Sequence, residues 1–322
     1  MESLNKSVLI TGAGGFIGLN TVKMFSGRGW NIYALVHKNI PDYLREMSDV
    51  KIIQTNILDE KTLDKDLANI NPDVVVHIAG LASDVGSDET FRKINFETVK
   101  YFAKIPKKKL IYISSTDVYG IKDFNGEDEE HIPFEENPLN PYPKYKIESE
   151  KWLRENLDKS RYVIIRPAAV WGEGDKTLEN RAYEFLKVSP FIVHFGKWKG
   201  NNRWPLANVK NVAGVIYSCA MYDDFDGEAI NIIDEKRTTI DEYYKQVGKK
   251  YFPDKKFKTI TLPLWVGKLI GLISTFFSNL FKMKQPLFDP TYYAVHHVAS
   301  NLDFSCSKMK IVLQKLDKDF QL

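Results

Sequence analysis

The chain has 322 residues, 43% of them hydrophobic, enough to bury a large core in one big domain or two modest ones. Lysine and arginine (45) nearly balance aspartate and glutamate (42), so charge gives no reason to expect a nucleic-acid partner. Two cysteines, Cys219 and Cys306, make neither a disulfide framework nor a metal site, and a buried-strand pattern at residue 7 leaves no room for a signal peptide. A cytoplasmic protein without a metal is expected.

The first half alternates apolar runs with helical patterns. "SVLI" (7–10) reads as a buried strand, followed by a glycine-rich turn and a helix over 16–27. "NIYALV" (31–36) and "VKII" (50–53) read as the second and third strands, then a helix near 60–69 and the fully apolar strand "DVVVHIAG" (73–80). A helix over 88–104 leads into "KLIYISS" (109–115), preceded by a lysine run at 107–109 that reads as a solvated loop. A helix from Pro143, a residue suited to the first helical position, leads into "RYVIIRP" (161–167). Runs without polar alternation mark strands buried on both faces, and the intervening helices mark right-handed crossovers. The pattern predicts an α/β fold with a doubly wound parallel sheet.

After residue 167 the alternation loosens, and Pro, Gly, Trp and Asn cluster over 190–205. A helix over 209–221, with Cys219 in its core, and the strand "EAINII" (228–233) return to the sheet pattern. A sheet domain of 1–166 and 207–234 is therefore expected, interleaved with a smaller substrate lobe of 167–206 and 235–322. The stretch 262–281, "LPLWVGKLIGLISTFFSNLF", has about a membrane-spanning length but is broken by Lys268, polar residues and two glycines. A buried helix or helix pair is expected there, with peripheral membrane contact as the second reading.

"VLITGAGGFIG" places Gly12, Gly15 and Gly18 between the first strand and the first helix. Glycines at such a junction permit a tight turn, approach of a pyrophosphate to backbone N–H groups, and close packing of helix on strand. A dinucleotide is the expected cofactor. The end of the second strand ordinarily carries an acid for the ribose hydroxyl of NAD, but "ALVHKN" offers Val36, His37 and Lys38. NAD(P) is expected, with a lean towards NADP.

Tyr-x-x-x-Lys occurs at Tyr142/Lys146, Tyr183/Lys187 and Tyr251/Lys255, a spacing that puts both side chains on one helical face. Only Tyr142 follows a strand, "YISSTDVYG" (112–120), that delivers Ser115, Thr116 and Asp117 to the carboxyl edge of the sheet, where such folds bind ligands. An ammonium beside a phenol favours phenolate and lowers its pKa from about 10. Ser115 could hold a substrate oxygen while Tyr142 moves its proton. Tyr145 has Ser149 four residues on and lacks the ammonium.

This constellation resembles the extended short-chain dehydrogenase/reductase superfamily of nucleotide-sugar epimerases, dehydratases and 3β-hydroxysteroid dehydrogenases. Thr11-Gly12-x-x-Gly15-x-x-Gly18 is similar to its cofactor turn, "HIAG" (77–80) to its fourth-strand signature, and Asn95 to its structural asparagine. "IIRPAAVWGEGD" (164–175) resembles its crossover into the substrate lobe, and "LANVKNVAGVI" its Val-x-x-Val-Ala helix. The resemblance implies Ser115, Tyr142 and Lys146 as the catalytic set. It also implies a cofactor held by Gly12, Gly15, Phe16, Ile17, Gly18, His37, Lys38, Asn56, Ile57, Ala79, Gly80, Tyr142, Lys146 and Pro167. Asn56 stands where an aspartate is usual, and Ala168 and Ala169 where sugar epimerases tend to carry an asparagine.

Ser115, Thr116, Asp117 and Arg203 are the expected substrate contacts, Arg203 as a cation on a substrate pyrophosphate. The first reading is an enzyme acting on a secondary alcohol or ketone of a nucleotide-activated sugar, as epimerase or 4-ketoreductase. The second is a 3β-hydroxysteroid-type or other lipid alcohol dehydrogenase, favoured by the apolar 262–281 segment. The third, a non-catalytic cofactor-binding regulator, has no use for a proton relay. A homodimer is expected.

Overall fold

The structure is a computed structural model that describes residues 6–283 and 285–320. Seven strands form its central sheet: β1 (Lys6–Thr11), β2 (Trp30–Val36), β3 (Val50–Gln54), β4 (Val74–His77), β5 (Lys109–Ile113), β6 (Tyr162–Pro167) and β7 (Ala229–Ile232). Their order is β7-β6-β5-β4-β1-β2-β3, and every pairing is parallel. This is the doubly wound arrangement predicted. The chain winds outward from β1 to β3, then crosses back to β4, leaving a crevice at the carboxyl ends of β1 and β4.

Successive residues of a strand face opposite sides, and the two faces build two cores. Val8, Ile10, Val76, Ile111 and Val163 pack on one side; Leu9, Val75, Leu110 and Ile164 pack on the other. Helix α1 (Phe16–Phe25) runs from the glycine turn, α2 (Pro141–Asn156) precedes β6, and α3 (Val209–Met221) packs against α1 with Cys219 fully buried. A third cluster, including Ala182, Leu186, Ile192, Tyr243 and Val247, is the core of a smaller lobe.

Local departures from the sequence reading have physical causes. The helix over 88–104 contains a π-helical segment, Lys93–Glu97, which seats Asn95 against the chain after β4. Asn95 accepts from Leu81 N at 2.7 Å and donates to Leu81 O at 2.9 Å. Helix α2 begins two residues before Pro143, because Asn140 caps it by accepting from Tyr142 N at 2.6 Å. Pro141 takes the first position. Lys109 is not in a solvated loop: it is buried at the start of β5, donating to Tyr222 O at 3.0 Å and to Asp223 at 2.8 Å, and paired with Asp226. Burial of that ammonium is tolerable because two carboxylates and a carbonyl replace its water.

The largest correction concerns 262–281. It is not a buried helix. Helix α4 (Leu264–Leu280) buries Gly267, Gly271, Ser274 and Ser278 and turns its large apolar side chains outward. Small residues allow α4 to lie close on α5 (Tyr292–Ala299): a Cβ on Gly271 would come within 2.7 Å of the Tyr292 backbone. The hydroxyls on that face find partners, Ser274 with Phe288 O and Ser278 with Ser274 O at 2.7 Å. Among the described residues, no helix is long and apolar enough to cross a membrane.

Candidate active site

The carboxyl ends of β1, β4, β5 and β6 open into one cavity of about 880 Å³. One end is built by the glycine turn. Gly12 adopts φ +66°, which a side chain would oppose, and a Cβ on Gly18 would stand 2.1 Å from Gly12 O. The turn and the head of α1 therefore need glycine at both places. Thr11 fixes the opposite wall: its hydroxyl accepts from Ile78 N at 3.1 Å and Ala79 N at 3.0 Å. That hydroxyl also meets His77 Nδ1 at 2.9 Å, and His77 Nε2 lies 3.1 Å from Thr98 Oγ1. Burial first, then the charge of Lys146, push His77 down to about 3, so the ring is a neutral clamp. His77 was not anticipated from the sequence, although it opens the "HIAG" motif.

These surfaces fit a dinucleotide. Gly12, Gly15, Phe16, Ile17 and Gly18 line the cavity with His37, Lys38, Ala79, Gly80 and Pro167. Val36 is buried at the end of β2, and no acid stands beside it; His37 and Lys38 are exposed at the cavity edge. Asn56 and Ile57 do not line the cavity. Asn56 is exposed and accepts from Leu58 N at 3.1 Å, while Ile57 packs on the second core.

Ser115, Tyr142 and Lys146 meet in the same cavity. Ser115 follows β5 and caps a short 3-10 turn, Thr116–Tyr119, accepting from Asp117 N at 3.2 Å. Lys146 donates from Nζ to Ile113 O at 2.6 Å and stands 5.9 Å from the centre of the Tyr142 ring. Burial pushes Lys146 down to about 7. Burial and then the Asp117 carboxylate hold the Tyr142 phenol well above its ordinary value, with the Ser115 hydroxyl pulling the other way. The expected lowering by Lys146 is not realised: desolvation and Asp117 raise the phenol, and the opposing influence comes from Ser115. Tyr142 is thus a protonated donor at neutral pH.

The rival tyrosines lie elsewhere. Tyr145 donates to Asp88 at 2.5 Å and sits beside Lys144. Tyr183 and Tyr251 pack on each other, 5.2 Å between ring centres, in the smaller lobe and outside the cavity.

The far end of the cavity joins Asp117 and Thr116, expected from the sequence, with residues it did not single out. Asp117 accepts from Tyr293 OH at 2.6 Å and lies 3.6 Å from His297. Arg181 is tied to Asp84 at 2.9 Å and to Asp289. Thr116 is buried on the wall. Arg203 does not reach the cavity: it lies exposed on a two-residue strand with a long contact, 3.4 Å, to Arg237 O. The strand directs Trp204 and Pro205, not Arg203, to the cavity wall. Arg181, on the helix Leu178–Val188, and Tyr293 and His297, one turn apart on α5, escaped notice because no motif spacing joins the two helices to each other or to the sheet.

Comparison with known proteins agrees with this architecture. A UDP-glucuronic acid 4-epimerase from Bacillus cereus, solved with UDP-glucuronic acid and NAD, superposes with a TM-score of 0.67 at 20% identity, covering 96% of this chain and 93% of that one. In sequence the chain is similar to a decarboxylating sterol-4-alpha-carboxylate 3-dehydrogenase from Candida albicans, at 26% identity over 90% of this chain and 87% of the relative. It is also similar to a UDP-glucose 4-epimerase from Vibrio cholerae, at 28% identity over 84% and 83%. The signature of the NAD dependent epimerase/dehydratase family matches residues 8–232, from β1 through β7. With the glycine turn, the parallel sheet and the cavity at its carboxyl edge, that match makes the chain a member of the NAD dependent epimerase/dehydratase family.

Proposed function

We propose that this enzyme oxidises or reduces a secondary alcohol or ketone on an apolar, sterol-like or other lipid skeleton. The observation that carries this reading is the make-up of the substrate end of the cavity. Its walls include Ala168, Ala169, Val170, Leu178, Leu302 and Phe304, and its one described arginine, Arg181, is already matched by Asp84 and Asp289. A nucleotide diphosphate needs unmatched cations or backbone donors for its charge. Arg203, the cation expected to supply that charge, is outside.

When bound, the dinucleotide supplies the hydride acceptor or donor. Ser115 Oγ holds the substrate oxygen in this reading, and Tyr142 OH gives or takes its proton. Lys146 holds the cofactor ribose and adds positive charge beside the phenol when protonated. A phenol held protonated favours ketone reduction at neutral pH, and alcohol oxidation should accelerate as pH rises. The assays are cofactor absorbance with 3β-hydroxysterols and their 3-ketones, and chromatography of the products from UDP-glucose and UDP-glucuronic acid, since an epimerase returns its hydride and leaves no net absorbance change. Turnover of the lipids alone is expected. Turnover of the UDP sugars alone, with NAD released on denaturation, would establish the second reading, which the similarity to UDP-glucose 4-epimerase favours.

For the cofactor we propose NADP over NAD, on the strength of Val36, His37 and Lys38. A surface ion pair contributes about 0–1 kcal/mol, so the preference of the wild type should be at most about fivefold. Val36→Asp should reverse it, since a carboxylate accepts from a 2′-hydroxyl and repels a 2′-phosphate. Dissociation constants for both dinucleotides, with Lys38→Ala alongside and thermal denaturation as a folding control, decide the matter. Tighter NAD binding by wild type, indifferent to Lys38→Ala, would assign the enzyme to NAD.

A further inference from the structure

We propose that the outer face of α4 is a seat for an anionic lipid surface, holding the protein on a bilayer without crossing it. Trp265, Leu269, Leu272, Phe276, Leu280 and Phe281 stand outward at helical spacing along the face, with Trp265 67% and Phe276 59% exposed. The row runs the length of a 17-residue helix, about 25 Å at 1.5 Å per residue. Contiguous apolar surface on this scale marks an interaction site. The helix is inverted for that purpose, with its glycines and serines turned to the protein.

Charge identifies the occupant. Between Asp254 and Asp289 the sequence has six lysines (Lys255, Lys256, Lys258, Lys268, Lys282 and Lys284) and no acid. Lys256, Lys258 and Lys282 are exposed. Anionic headgroups complement such a segment, and lysines near a charged bilayer add to apolar insertion. A second copy presenting the same face would bring lysine against lysine, because a two-fold interface pairs a surface with itself. A helix too short to span and apolar on its outer side lies in the plane of the interface.

The helix that carries the seat packs beside segments of the cavity wall. Gly86 N donates to Asn279 Oδ1 at 3.4 Å, at the end of the loop that carries Asp84. Gly271 packs on Tyr292, next to cavity-lining Tyr293. The inference holds whichever alcohol is turned over.

The test is flotation of the full chain with phosphatidylcholine vesicles, with and without phosphatidylglycerol. Wild type should float with the anionic vesicles, and Trp265 fluorescence should shift to the blue, a shift lost in Trp265→Phe. Leu272→Glu with Phe276→Glu, both at exposed positions, should partition at least about tenfold more weakly, since carboxylates resist the acyl boundary. Lys282→Glu should weaken binding to anionic vesicles alone. The proposal is overturned if wild type stays unbound to both vesicles, or if the double-glutamate variant folds and floats as well as wild type. It is equally overturned if wild type is a dimer that these glutamates split into monomers.

Discussion

Tyr142→Phe should lower kcat at least about 100-fold, the lower end of what a positioned proton donor contributes. The phenylalanine keeps the ring and its packing, so dinucleotide affinity should stay within about twofold, a change of roughly 0.4 kcal/mol. The reason is geometric. Tyr142 shares the cavity with Ser115 and stands one helical turn from Lys146, while Tyr293, also on the wall, donates to Asp117 and Tyr145 is engaged by Asp88. Tyr145→Phe and Tyr183→Phe, made as controls, should leave kcat near wild type. Retention of more than a tenth of the wild-type kcat by Tyr142→Phe, a loss below about 1.4 kcal/mol, would remove Tyr142 from the proton transfer.

Arg166→Met should be the most destabilising single change near the site, by about 3–5 kcal/mol in chemical denaturation. Glu150 on α2 is fully buried, and Arg166 on β6 donates to it from Nε at 2.9 Å and again from Nη2. Arg166 also donates to Tyr119 OH at 2.6 Å, Tyr119 donates to Asn231 at 2.8 Å, and Ser114 donates to Glu150 at 2.6 Å. The network locks α2 to β5, β6 and β7, and so fixes Tyr142 and Lys146 relative to Ser115. Removing the guanidinium leaves a carboxylate away from water with only the Ser114 hydroxyl and, at 3.9 Å, Arg154 as partners. Adding Glu150→Leu to Arg166→Met should recover more than half of the loss, because the buried and only partly compensated charge is then gone. Equal stability of the single and double variants would show that Glu150 is not held by Arg166.

The sequence by itself determined the sheet and the cofactor turn. Residues such as Val74–Val76 and Val163–Ile165 can be buried on both faces only in a covered parallel sheet, and that property is written in each strand separately. The same holds for Gly12 and Gly18, whose backbone demands are local to one turn. Ser115, Tyr142 and Lys146 could be picked out because one connection, from β5 to β6, carries all three, Ser115 just after its strand and the Tyr-x-x-x-Lys pair at the head of its helix.

What only the tertiary structure decided depends on elements far apart in the chain. The engagement of Arg181 with Asp84 and Asp289, and the exclusion of Arg203, arise from how the smaller lobe folds back over the sheet. The phenol of Tyr142 rises because it is buried and faces the Asp117 carboxylate, surroundings that spacing cannot express. Helix α4 is the clearest case. Its apolar content was plain in the sequence, yet hydrophobicity does not say which face a helix buries. Close contact with α5 requires glycine and serine at the interface, so the small residues went inward and the large apolar ones were left outside.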